Sequence, residues 1–314
     1  MRERDDLRAT PALSSRKTAH GAHRMKFFSL VFALGFAALP VQAQNSGPQL
    51  ESTLVRAYDA WREAMIRKDA QAWAAAITQY RQVVTRNEVV SDRKPFPQAV
   101  FEIPVSPPKI DGLRLLEAEA VGNTAHLIYF GKVDLGQDAD KKDKEVLLKL
   151  KFGLEGGVWK YDSNRFTGLS NASPAEIAAL RAGKRPDFLD AAEFTPPGSF
   201  PPVPALCRVP DFKGGYKLQS FGYETSLSMN GFDYGPVAHA LDQQVIIGGL
   251  ATGENVITIR AKPVAPAEGQ TPALKLRIYK LDAENPDQPG VQVLDWSAPA
   301  SGAPAEVRLP FTVR

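Results

Sequence analysis

The stretch FTPPGSFPPVPALCRVP, Phe194 to Pro210, constrains the fold more than any other, because six prolines in it fix φ and remove backbone donors. Neither a helix nor a central strand can run through it, and Pro-rich chain favours an extended, semi-rigid form. It divides the sequence into two parts of different pattern. Before it lie helical periodicities followed by strands; after it lie strands alone. A proline-rich linker over residues 194–210 is therefore expected between a domain at 45–193 and a domain at 211–314. About 270 residues remain after the leader described next, above the usual single-domain range of about 100 to 200.

At the other end, MKFFSLVFALGFAALPVQAQ from Met25 has a Lys, an apolar run from Phe27 to Leu39, and small residues Val41 and Ala43 before Gln44. This predicts a secretory signal peptide, with residues 1–43 as leader and Met25 as the true start. The apolar run is shorter than the roughly 20 residues a membrane span needs, and no other segment approaches that length. The expected location is exported, periplasmic or extracellular, with no membrane span in the mature chain. The whole sequence holds 38 basic and 35 acidic residues; the leader removes seven and three, leaving 31 against 32. A near-neutral chain lacks the cationic footprint that phosphate-backbone binding demands, so nucleic acid is not an expected partner. Cys207 is the only cysteine, which excludes an internal disulfide. His126 and His239 are the only histidines beyond the leader, which leaves little for a metal site or a triad.

Leu54, Tyr58, Trp61 and Met65 recur at helical spacing, and Asp69 is placed to cap a second helix with the stripe Trp73, Ile77, Tyr80 and Val84. The period then changes. LRLLEAEAV, TAHLIYFGKV, EVLLKLKFGL and VWKYDSNRF, separated by Gly122-Asn123, a polar loop and Glu155-Gly156-Gly157, predict an antiparallel meander. Ser173, Pro174 and Glu176 form a capping box for a last short helix that stops at Gly183. Helices followed by a meander ending in GGVWKYDSNRF resemble the NTF2-like (SnoaL-like) superfamily over Gln49–Leu169. That resemblance implies an α+β cone of helices packed on a curved antiparallel sheet. It implies either a pocket enzyme or a catalytically silent binding module, and in the enzymes of the family a pocket Asp or His moves the proton.

In the second part YKLQSF, ETSLSMNG, QQVIIGGL, ENVITIRAKPV, ALKLRIYKL, VQVLDW and AEVRLPFTV predict an all-β sandwich. SLSMNG followed by VIIGGLATGENVITIRA resembles the galactose-binding-like domains over Thr225–Lys262, with an immunoglobulin-like sandwich as the alternative. Asn230-Gly231 supplies the positive-φ pair of a type I′ hairpin. Phe232, Asp233 and Tyr234, just beyond it, are candidate ligand-binding residues, since a sugar ring stacks on an aromatic face and bonds at its edge. The Gly235-Pro236 pair after them instead favours a buried Tyr234 whose hydroxyl bonds to backbone.

His126 lies mid-strand with Glu117 and Glu119 on the preceding strand and Tyr129 nearby. If these faced a cone cavity, His126 would be the general base and a carboxylate its orienting partner. Alternation sets His126 with Ile128 and Phe130 on one face, which a hydrogen-bonded core histidine also satisfies. Asp134, Asp138, Asp140 and Glu145 fall at positions one, five, seven and twelve of a calcium-loop count. The loop lacks the Asp at three and the Gly at six, and strands flank it, so a solvated hairpin loop is expected. Cys207 has no basic cluster to lower its thiol and reads as inert. No phosphate loop, nucleophile elbow or paired-cysteine zinc spacing occurs, and neither metal nor cofactor is expected. The leading expectation is an exported, non-enzymatic protein that binds a small ligand or an envelope protein or glycan. An NTF2-like enzyme with His126 as base is one alternative; a subunit that homodimerises through the NTF2-like sheet is another, with Leu148, Leu150 and Phe152 or Leu147, Lys149 and Lys151 on the exposed face.

Overall fold

The computed structural model of the protein describes residues 47–102, 107–133, 145–285 and 287–314. The expected leader and signal peptide at 1–43 and the expected hairpin loop at 134–144 lie outside them. All described residues belong to one compact unit of α+β class, built on two antiparallel sheets. No helix among them is long and apolar enough to cross a membrane.

Helix α1 (Pro48–Arg67) starts on a proline at its first position and buries Leu50, Leu54, Tyr58 and Met65 along one stripe. Lys68, at φ 55°, closes it in the left-handed conformation, and Asp69 Oδ1 then accepts the Gln71 and Ala72 N–H groups at 3.0 and 2.9 Å. The single second helix expected from the stripe is in fact two, α2 (Ala70–Ala76) and α3 (Gln79–Ser91). The break has a cause. The Thr78 N–H donates to the Tyr161 carbonyl at 2.9 Å, its hydroxyl donates to Asp162 Oδ1, and the same hydroxyl accepts the Arg81 N–H to cap α3. Trp73 and Ile77 consequently stay in the core while Tyr80 and Val84 turn away from it.

The meander is ordered β1 (Arg114–Val121), β2 (Thr124–Lys132), β3 (Glu145–Glu155), β4 (Val158–Gly168), each strand beside its sequence neighbour. One face carries Leu127, Tyr129, Leu148, Leu150, Phe152 and Tyr161 into the core beneath α1 and α2. The opposite face carries Ile128, Phe130 and Leu147, which pack on Leu180, Leu189 and Phe194. Those three come from α4 (Pro174–Arg181), with the expected capping box on Ser173 and Glu176, and from the chain that follows it. Both faces are thus covered by the chain itself, and the surface expected to serve a dimer is occupied by residues from 180 onward.

The remaining strands are β5 (Lys213–Met229), β6 (Phe232–Val245), β7 (Gly253–Pro263), β8 (Ala273–Leu281), β9 (Val291–Ser297) and β10 (Glu306–Val313). They form one six-stranded network, ordered β10-β7-β5-β8-β9 with β6 along the other side of β5. YKLQSF and ETSLSMNG are a single long strand rather than two; the hairpin expected at Asn230-Gly231 is present with Phe232–Val245 as its second arm, so that of QQVIIGGL only Gln243–Val245 belongs to a named strand. Asn230 and Gly231, at φ 56° and 82°, make the tight turn between them.

The spacer expected over residues 194–210 is bonded down. The Asn87 amide on α3 donates to the Ala205 carbonyl at 2.8 Å and its oxygen accepts the Cys207 N–H at 2.9 Å. Arg86 donates to the Cys207 carbonyl, and the Ser91 hydroxyl accepts the Gly248 N–H from the turn between the sixth and seventh strands. Lys213 and Asp92 add an ion pair at 2.8 Å.

Candidate functional site

The register of the first sheet assembles the site. Glu119 stands opposite His126, and His126 opposite Lys151; Ile128 stands opposite both Glu117 and Lys149, and Lys149 opposite Arg165. Because side chains alternate, Glu117, Glu119, His126, Lys149, Lys151 and Arg165 share the face turned away from the helices. The chain from Ala192 to Pro201 passes over this face and borders a half-open cleft of about 420 Å³, which Tyr80 and Arg81 of α3 also line.

His126 is 2 % exposed, with Nε2 2.6 Å from Glu117 Oε1 and 3.8 Å from Glu119 Oε2. Burial would raise the Glu117 carboxyl, but hydrogen bonds from His126 and Arg185 outweigh it and hold the group below the usual carboxylate range. Glu117 is therefore ionised, and the proton lies on Nε2, which donates. Nδ1 is buried and has no hydrogen-bond partner among the described residues. Arg185 donates to the second oxygen of Glu117 and also pairs with Asp190.

Glu117, Glu119 and His126 present ligand atoms within 4.8 Å of one another, a spacing that suits a cation. The occupancy of those atoms argues otherwise. Both oxygens of Glu117 already accept, one from an imidazole N–H and one from a guanidinium, and a metal ion would have to displace the first beside the positive charge of the second.

The cleft's electrostatics are set by its cations. Arg81, Lys149, Lys151 and Arg165 line it against Asp162 and Glu193. Arg81 pairs with Asp162 at 3.4 Å and Arg165 with Glu193 at 3.5 Å. Lys149 and Lys151 have no ion-pair partner among the described residues. Lys149 is 6 % exposed; its ammonium donates to the Glu193 backbone carbonyl and lies 5.6 Å from the Phe194 ring centre. Burial first, then the neighbouring charges of Lys151 and Arg165, lower its pKa to about 8.

The candidates read from the sequence thus separate. His126, Glu117 and Glu119 come together, but on the outer sheet face and not in a cavity under the helices. Tyr129 points to the helix side, where burial and then the charges of Glu51 and Asp59 raise its phenol well above the ordinary value. Tyr234 is 8 % exposed, its ring edge-on to Tyr216 at 5.3 Å and its hydroxyl accepting the Ile247 N–H at 2.7 Å, so it offers no open stacking face. Phe232, Asp233 and Tyr234 border a separate cleft of about 600 Å³ beside Tyr80 and Glu88 of α3. Sequence reasoning named Lys149 and Lys151 only as part of a candidate dimer face, and did not single out Arg165. Their signal was the lysine pair at alternate positions of EVLLKLKFGL, which puts two charges on a sheet face that otherwise buries Leu147. No protein-family model, no curated protein and no solved structure matches this chain.

Proposed function

We propose that this is an exported binding protein, NTF2-like in its first half and sandwich-like in its second, which holds a small anionic ligand in the cleft beneath residues 192–201. The observation that carries the reading is the pair Lys149 and Lys151, two cations with no ion-pair partner among the described residues, on the wall of a half-open cleft. An ammonium taken out of water without an ion partner is costly, and a bound carboxylate or phosphate supplies the missing charge. The order of helices and meander supports the NTF2-like assignment, and the prolines over the cleft give a preorganised cover.

Isothermal titration with dicarboxylates and phosphate monoesters tests this. At least one of these anions is expected to bind, with affinity falling as salt rises, because the attraction is between charges. Lys151→Ala should weaken that binding about tenfold, the effect of roughly 1.4 kcal/mol. Absence of binding by every anion, or an unaltered affinity in Lys151→Ala, would refute it.

A second reading, an enzyme with His126 as general base, draws on the Glu117–His126 bond, since a carboxylate that fixes an imidazole is the usual orienting arrangement. It is disfavoured by the same geometry: the nitrogen left to accept a proton, Nδ1, is buried away from solvent. His126→Ala is expected to lower the melting temperature by several degrees, as loss of a buried hydrogen-bonded side chain does. A variant as stable as wild type that has lost a measurable turnover would reverse the preference.

A further inference from the structure

The ligand class can be narrowed by asking what an amine in the position of Lys149 does. Its nitrogen lies on the cleft wall with one hydrogen bond, to the Glu193 carbonyl, and no carboxylate at ion-pair distance among the described residues; the Glu193 charge favours the ammonium but is outweighed by burial and the neighbouring cations. Around it stand Lys151 on the same strand, Arg165 opposite on β4, His126 diagonally on β2, and Glu193 of the covering segment. Asp162 also lines the cleft but is engaged by Thr78, Ser163 and Arg81. Two cations thus flank an amine that is itself buried at the wall of a half-open cleft, the setting in which a lysine becomes a nucleophile.

We propose that Lys149 captures a carbonyl compound as an imine, and that the ligand is a 2-oxo acid whose carboxylate is held by Lys151 and Arg165. This rests on the anion-binding reading above. The Lys149 lone pair adds to the ketone carbon while the carbonyl π pair moves to oxygen, which takes a proton from the nitrogen to give a carbinolamine. Loss of the hydroxyl with the remaining N–H proton as water leaves the C=N bond. No oxidant or further reactant is required. The depressed pKa of Lys149 agrees with this, because more of the amine is neutral near pH 8 than for an ordinary lysine.

The test is reductive trapping of the full protein with pyruvate and cyanoborohydride, followed by peptide mapping. One adduct is expected, on Lys149, formed at least tenfold faster than on any other lysine. Between pH 6 and pH 8 the trapping rate should climb roughly fiftyfold, as the neutral fraction of an amine titrating near 8 does. Lys149→Arg, which keeps the charge and whose folding is checked by its melting temperature, should give no adduct in the cleft. Lys151→Ala should slow trapping about tenfold, and acetone, which lacks the carboxylate, should be slower than pyruvate by a similar factor. Labelling spread over surface lysines, or Lys149→Arg trapped like wild type, overturns the proposal. An adduct on Lys149 equally fast with acetone overturns the 2-oxo acid class. Titration with oxalate, an acid with no ketone, separates the two layers: oxalate binding without an adduct removes the imine and leaves the anion site, whereas neither binding nor adduct removes both.

Discussion

Lys149→Met is expected to stabilise the protein at pH 7 by about 2 kcal/mol while abolishing anion binding. The amine titrates near 8 in the folded protein against an ordinary value of 10.5, and each unit of such a shift corresponds to about 1.4 kcal/mol. The folded state therefore pays about 3 kcal/mol to keep this group protonated at pH 7. The lost hydrogen bond to Glu193 returns about 1 kcal/mol of that. The sign fixes the pH window. Because the folded value lies below the unfolded one, the unfolded chain binds more protons between pH 8 and 10.5, and wild-type stability gains there as pH rises. The advantage of Met should be full below pH 8 and should fade towards pH 10.5. Urea unfolding of both proteins at pH 7 and pH 10 measures it; a Met variant less stable at pH 7, or a difference that does not change with pH, would show that the amine is not under strain.

Asn87→Ala is expected to cost about 3 kcal/mol. The side chain is 2 % exposed and bonds both ways to the proline segment, donating to the Ala205 carbonyl and accepting the Cys207 N–H. Removing it leaves the buried Cys207 N–H without a partner, worth about 1 to 3 kcal/mol, and also loses the bond to the carbonyl of Ala205, an exposed residue that water can reach. The neighbouring Ser91 hydroxyl donates to the Asn87 carbonyl and accepts the Gly248 N–H, so the same turn of α3 also fixes the second sheet. Unfolding of the variant should then split into two steps where the wild type shows one. Asn87→Asp, which keeps the acceptor and loses the donor, should fall between. A single transition at the wild-type midpoint would mean that the prolines hold their path without α3.

The meander was legible to within one or two residues at each strand end because its determinants are local: alternation within each strand and Gly122 or Gly156-Gly157 between strands. The break between α2 and α3 was not, because the apolar stripe runs on through Ile77 and Tyr80. What stops the helix is Thr78 bonding to Tyr161 and Asp162, far along the chain. Strand β6 was read only at its ends, from the Asn230-Gly231 hairpin and from Gln243–Val245, and its full length was missed for a different reason. It pairs only with β5 and shows no clean burial alternation, so Phe232–Val245 carries no period of two to read. At the site, the proximity of His126 to Glu117 and Glu119 followed from the hairpin at Gly122-Asn123. The cleft around Lys149 did not, since its cover is supplied by a segment that reads as a spacer when taken by itself.

Strand β5 is the axis of the second sheet, since β6, β7 and β8 all pair with it. Along one edge its first half, to Phe221, pairs with β8 and its second half, from Tyr223, with β7. The change of partner falls at Gly222, whose φ of 73° bends the strand and where a Cβ would stand 2.9 Å from Pro272. Lys213 must meet Leu281 and Arg260 must meet Glu306, whereas each strand of the first sheet meets only the one next to it in sequence. Closing long loops precedes any reward from such pairings, so topology assigns the two sheets different speeds. The helices and meander should assemble quickly from neighbouring segments, and the sheet around β5 should be the late, rate-limiting event, exposing unpaired strands for as long as it takes to close.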